Sequence, residues 1–313
     1  MNPRLTKKDK FLYFHLAVFI LIASGAVYLG SGRTETILGT KAGTAPEISA
    51  ILPILEKETT FPVLSAQAAL AVDLDSQITL YEKDPDKLLL PASTTKIVSA
   101  LVVMNYYKDD QVLTVKNIKV EGQKMGLILG EEIKVKDLLY GLLVYSANDA
   151  AEVLAQNFNG GRDAFILAMN EKAKELRLDN SNFTNPTGLD TDGDHIVSTA
   201  RDLVKISSYA MQNPEFAEIV KTEKITVTST DGKIIHRLTN VNELLGKVPG
   251  VLGIKTGWTE NARENLVTYL ERDNHKVMMV VLGSQDRFGE TKELINWIFA
   301  NYSWQEVKVP YSP

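Results

Sequence analysis

The hydrophobic positions along this chain fall into three regimes. Across residues 11–29 almost every side chain is apolar, with His15 and Ser24 the polar exceptions. From Gly30 to about Pro62 the apolar runs shorten among Gly, Thr, Ser and Pro. From Ser65 onward, apolar residues recur with a period near 2 or near 3.6, the signatures of strands and amphipathic helices.

Within the third regime, residues 68–74 and 78–81 read as strands around Asp75-Ser76, a hairpin signal. Pro91 precedes a helix predicted over 93–107, with Ile97, Ala100, Leu101 and Met104 at helical spacing. Further helices are predicted over 135–144, 149–157, 162–176 and 198–210, the last with Ser198 as N-cap. Residues 225–229 and 234–238 flank Asp231-Gly232, a second hairpin. Strands over 251–255, 266–270 and 277–282 come next, with a turn at Asp273-Asn274, and a helix over 289–302 closes the pattern. Strands at both ends with helices between them predict an α/β (α+β) domain, an antiparallel sheet flanked by helices plus a helical lobe. In the second regime, 48–55 reads as a short helix interrupted by Pro53.

The first regime predicts an address. About 20 apolar residues span a hydrocarbon core. Arg4, Lys7, Lys8 and Lys10 precede the run, and the next cations are Arg33 and Lys41. This asymmetry places the basic tail 1–10 in the cytoplasm and exports the rest of the chain. Segment 11–30 is then a transmembrane anchor, or a signal segment cut near Ala23-Ser24-Gly25. Residues 31–64 form a linker, and 65–313 a folded domain on the periplasmic or cell-wall side of the cell membrane. A net charge of -5 gives no basic footprint for nucleic acid. The absence of cysteine excludes disulfides, thiolate chemistry and Cys-ligated metals.

Three constellations carry candidate chemistry. In Ser93-Thr94-Thr95-Lys96 the amine lies on the helix face of the hydroxyl, and a serine becomes nucleophilic once a base takes its proton. Lys96 serves as that base only if burial or neighbouring cations lower its pKa. Ser146 and Asn148, in a loop between two helices, place a hydroxyl for proton relay beside an amide for a substrate carbonyl. Lys255, Thr256 and Gly257 end a strand: two groups for an anion such as a terminal carboxylate, and a glycine for close approach. Taken alone, each has an ordinary structural reading: an N-cap serine with a surface lysine, a capped helix, a strand entering a turn. Together, in this order, they form the motif set of penicillin-binding proteins and class A β-lactamases.

The chain more closely resembles the low-molecular-weight penicillin-binding proteins, the serine D-Ala-D-Ala carboxypeptidases. The resemblance rests on Pro91-Ala92-Ser93-Thr94-Thr95-Lys96 and on Ser146-Ala147-Asn148-Asp149-Ala150-Ala151. It extends to Phe183-Thr184-Asn185-Pro186-Thr187-Gly188-Leu189, to Asn240-Val241-Asn242-Glu243-Leu244-Leu245 and to Gly253-Ile254-Lys255-Thr256-Gly257-Trp258-Thr259. It implies that Ser93 attacks the penultimate D-Ala carbonyl of a peptidoglycan pentapeptide, with Lys96 as base and no cofactor. It implies an oxyanion hole from the backbone N–H groups of Ser93 and Trp258, proton transfer through Ser146, and Arg287 helping to hold the substrate carboxylate. β-Lactams would be covalent inhibitors. A D,D-endopeptidase and a non-turnover sensor or scaffold are the alternatives. A class A β-lactamase is disfavoured, because no glutamate lies in the loop 180–198. Two departures stand out: Ala262-Arg263-Glu264-Asn265 replaces the family's Ala-Gly-x-Cys, putting Arg263 beside the third motif, and the chain ends soon after its last helix. Asp190, Asp192 and Asp194 alternate as in a calcium loop, but His195 and Arg201 occupy positions needing Gly and Glu, so no metal is expected. His195 is expected to hydrogen-bond within its own loop.

Overall fold

In this computed structural model, which describes residues 47–56, 60–190 and 195–310, the chain opens with strand β1 (Glu47–Leu55) in place of the short helix expected there. Its partner is the last strand of the chain, in a two-stranded sheet. Ile48, Ile51 and Ile54 favour extended backbone, and Pro53, costly inside a helix, is tolerated where no central ladder is broken. The tail 1–10, the apolar segment 11–30 and most of the linker lie outside the described residues. Among the described residues no helix is long and apolar enough to cross a membrane.

Strands β2 (Ala68–Asp73) and β3 (Thr79–Lys83) form the expected antiparallel hairpin. A 3-10 turn, Ala92–Thr95, runs directly into α1 (Lys96–Tyr106). The short strands β4 (Val112–Thr114) and β5 (Glu132–Lys134) pair with each other, too brief to leave a periodic signal in the sequence. Helices α2 (Val135–Leu143), α3 (Asn148–Gln156), α4 (Gly161–Glu175) and α5 (Ala200–Ala210) lie at the predicted places.

The N-cap of α5 is a correction. Ser198 is held in a backbone bridge with Leu89, so the helix starts later and Thr199 accepts from Asp202 N. An additional helix, α6 (Pro214–Val220), went unread. Its signal is present: Asn213 accepts from the N–H groups of Glu215 and Phe216, and proline opens the first turn.

Strands β6 (Lys224–Thr228) and β7 (Ile235–Thr239) form the second hairpin. Then come β8 (Val251–Thr259), β9 (Arg263–Arg272), β10 (His275–Ser284), helix α7 (Arg287–Asn301) and β11 (Tyr302–Pro310). The central sheet has the order β3-β2-β10-β9-β8 and is antiparallel throughout, leaving β8 as an edge. Strand alternation divides the core in two. Met278, Val280 and Leu282 of β10 join Ile97, Leu101, Leu138 and Leu142 on the helical side. Val277, Met279 and Val281 join Leu294, Ile295 and Ile298 of α7 on the other.

β11 is pinned to this body by Trp304, whose Nε1 donates to the buried Asp73 Oδ2 at 2.8 Å while its ring stacks on His275. Trp304→Phe keeps the ring but leaves that carboxylate oxygen without its donor. We expect a loss of about 1–3 kcal/mol, read as a lower denaturant midpoint at unchanged slope. An unchanged midpoint would mean the bond contributes nothing.

Candidate active site

The 3-10 turn presents Ser93 at the mouth of α1, with Thr94 Oγ1 donating to Pro91 O at 2.7 Å. Two glycines let other segments close on it. At Gly188, φ is +83° and a Cβ would lie 1.8 Å from Ala92 O. At Gly257 of the edge strand β8, a Cβ would lie 3.1 Å from Ser93 N and 3.0 Å from Pro91 O. Trp258 is thereby carried beside the Ser93 backbone, with its own side chain largely exposed.

Lys96 is fully buried at the first position of α1. Its Nζ is 2.9 Å from Ser93 Oγ, 2.6 Å from Asn148 Oδ1 and 2.7 Å from Thr187 O. Burial pulls its pKa down to about 7, against the nearby Asp149 charge, which raises it. In the neutral amine, the two N–H groups satisfy the two carbonyl acceptors, and the lone pair is left facing the serine hydroxyl. The acceptor Thr187 O is presented by a turn organised on Asn185, whose Oδ1 accepts from Thr187 N, Thr187 Oγ1 and Gly188 N. Asn148 opens α3, and its Nδ2 donates to Glu121 O at 2.7 Å.

Ser146 adopts φ +62°, a left-handed conformation uncommon for serine. Its Oγ accepts from Lys255 Nζ at 2.8 Å. Lys255, the candidate group for the substrate anion, turns its amine inward, onto Ser146 and Thr256 O, with the side chain buried. Burial, together with the charges of Lys96 and Arg287, drives its pKa well below the ordinary lysine range. Thr256 is buried beside it. Arg287, at the start of α7, donates from Nη1 to Gly257 O at 3.2 Å, and its Nε has no partner among the described residues. Burial lowers its pKa as well.

Arg263 turns into solvent at φ +58°, at the β8–β9 turn. Glu264 accepts from Arg287 N, and the buried Asn265 joins Leu90 O to Gly283 N. Asp190 accepts from Asn261, while Asp192 and Asp194 lie outside the described residues. The carbonyl of His195 accepts from Asn182 Nδ2.

Ser93, Lys96, Ser146, Asn148, Lys255, Thr256, Gly257 and Arg287 thus share one neighbourhood, built from the 3-10 turn, the start of α1, the α2–α3 loop with the start of α3, β8 and the start of α7. Sequence reasoning missed the role of Thr187, whose contribution is a backbone carbonyl that no side-chain pattern announces. It also missed Asp149, which reads as an ordinary acidic residue in the first turn of a helix.

A family model described as D-alanyl-D-alanine carboxypeptidase matches residues 56–286. The D-alanyl-D-alanine carboxypeptidase DacF of Bacillus subtilis is 30% identical over 79% of this chain, and the match covers 65% of that relative's length. A D-alanyl-D-alanine endopeptidase of Escherichia coli is 33% identical, over 76% of this chain and 78% of the relative. The crystal structure of a Streptomyces DD-transpeptidase superposes with a TM-score of 0.71 at 32% identity, covering 77% of this chain and all of that one (100%).

Proposed function

The chain belongs to the D-alanyl-D-alanine carboxypeptidase family, and from that membership and the site we propose that it is a serine D-Ala-D-Ala carboxypeptidase acting on peptidoglycan stem peptides. What carries the reading is the buried Lys96 amine, 2.9 Å from Ser93 Oγ with two carbonyls taking its N–H groups.

In this reading the Ser93 hydroxyl proton passes to Lys96 as Oγ bonds to the penultimate D-Ala carbonyl carbon. The resulting oxyanion is held by the backbone N–H groups of Ser93 and Trp258. The proton then reaches the leaving D-Ala nitrogen through Ser146, whose hydroxyl is oriented by Lys255. Water attacks the acyl-enzyme by the reverse route and restores Ser93. Thr256 and Arg287 hold the terminal carboxylate, and Lys255 reaches it through Ser146 and the local field. β-Lactams acylate Ser93 in the same geometry. The apolar segment 11–30 anchors the chain or directs its export, and residues 65–313 work outside the cytoplasm as the catalytic domain.

The test is release of D-Ala from a pentapeptide stem by the unaltered chain and by Ser93→Ala. The reading expects Ser93-dependent release. Ser93-dependent labelling by penicillin without D-Ala release would shift it to a non-turnover sensor. Cleavage of cross-linked dimers alone would shift it to an endopeptidase, the activity named for the Escherichia coli relative.

A further inference from the structure

We propose that Asp149 is a positioning residue for the Ser93–Lys96 pair, acting through the backbone segment 121–127 and through Asn148. The inference rests on the reading of Ser93 as nucleophile.

The segment between β4 and β5 has no regular structure from Lys116 to Gly130, so its amides need partners from elsewhere. Asp149 supplies three of them. Its buried carboxylate accepts from Met125 N at 3.0 Å, from Gly126 N at 2.9 Å and from Leu127 N at 3.1 Å. Charge-assisted bonds of this kind are about twice as strong as neutral ones. The same segment turns back onto the neighbouring residue: Gln123 O accepts from Asn148 N, and Glu121 O from Asn148 Nδ2, each at 2.7 Å.

That second bond fixes the sense of the Asn148 amide. With Nδ2 given to Glu121 O, Oδ1 must face Lys96 Nζ. A released segment would leave the amide free to turn its NH₂ toward Lys96, two donors opposing each other. Gly122 sits close enough that a Cβ would lie 2.8 Å from Asn148 Nδ2, so the fit is tight. A second clamp holds the far end: His236 Nδ1 lies 3.0 Å from Met125 O and Nε2 lies 2.7 Å from Glu131 Oε1, all buried. The titratable groups around Asp149 are Lys96 from α1, Glu121 and Lys124 on the segment itself, and His236 with Glu131 at its far end. Asp149 also raises the proton affinity of Lys96, opposing the effect of burial.

The experiment measures acylation by a fluorescent penicillin across the acid to mildly alkaline range, with Ser93→Ala as blank. Asp149→Asn is expected to slow the plateau rate by about 10- to 100-fold and to move the acid limb about one pH unit lower, the scale of one nearby charge. Loss of fold alone would lower the amplitude without moving the limb. An unmoved limb, or a wild-type plateau, would overturn the proposal. Should Asp149→Asn not fold, Asp149→Glu decides: the charge stays but the arm lengthens, so the limb should hold while the plateau drops about tenfold, and a wild-type plateau would overturn it. Absence of Ser93-dependent labelling in the unaltered chain would overturn the parent reading, and this inference with it.

Discussion

Lys96→Ala is expected to slow acylation of Ser93 by about 10,000-fold, the upper end of what a positioned base supplies. The size comes from the geometry. No other amine or imidazole within the described residues is hydrogen-bonded to Ser93 Oγ, and a hydroxyl without its base is a poor nucleophile. The pH dependence has a fixed sign. An ordinary lysine would be neutral in roughly one molecule in 3,000 at neutral pH, whereas a value of about 7 leaves about half of them neutral. Acylation should therefore rise with pH through about 7 and level off above it. Lys96→Arg separates two roles for the residue: a guanidinium keeps the charge and the donors but does not deprotonate. If Lys96 is the base, arginine is as slow as alanine. If it serves only as a cationic donor, arginine retains most of the rate.

The second large effect belongs to Gly257→Ala. A Cβ at this position meets Ser93 N at 3.1 Å, Pro91 O at 3.0 Å and the Ala92 side chain at 3.2 Å. The edge strand must then draw away from the turn that carries Ser93, and the two backbone N–H groups proposed for the oxyanion hole separate. Losing one such donor typically costs 100- to 1,000-fold. We expect a loss of about that size in the acylation rate, with penicillin still capturing Ser93 at long times. Stopped-flow acylation checks it, and a rate within a few-fold of the unaltered chain would show that β8 tolerates the displacement.

Much of this site was legible because its chemistry lies in side chains at fixed spacings. Ser93 and Lys96 are one helical turn apart, Ser146 lies two residues before Asn148 at the start of α3, and Lys255 to Gly257 follow one another in β8, which runs on to Thr259 where the sequence suggested a strand end. Direction was not legible. Spacing gave Lys255 to the substrate, but only packing reveals that its amine is buried against Ser146. Backbone contributions were hidden as well: Thr187 O, Glu121 O and Gln123 O act through atoms common to every residue. Elements with strong periodicity, such as α4 and the sheet strands β9 and β10, were readable to within a few residues. β1 was not. Its isoleucines favour extended backbone, but a short strand is fixed only by its partner, and here that partner is β11, far away in sequence. The Asn213-Pro214 start of α6 carried a readable cap, but seven residues offer too little periodicity to confirm a helix.

The most direct measurement is to map the covalent adduct. The full chain is incubated with benzylpenicillin, digested, and analysed by mass spectrometry beside Ser93→Ala. The account predicts one penicilloyl group per chain, on the peptide containing Ser93, and none in the variant. An adduct on another residue, or an unmodified Ser93 in folded protein, would contradict it.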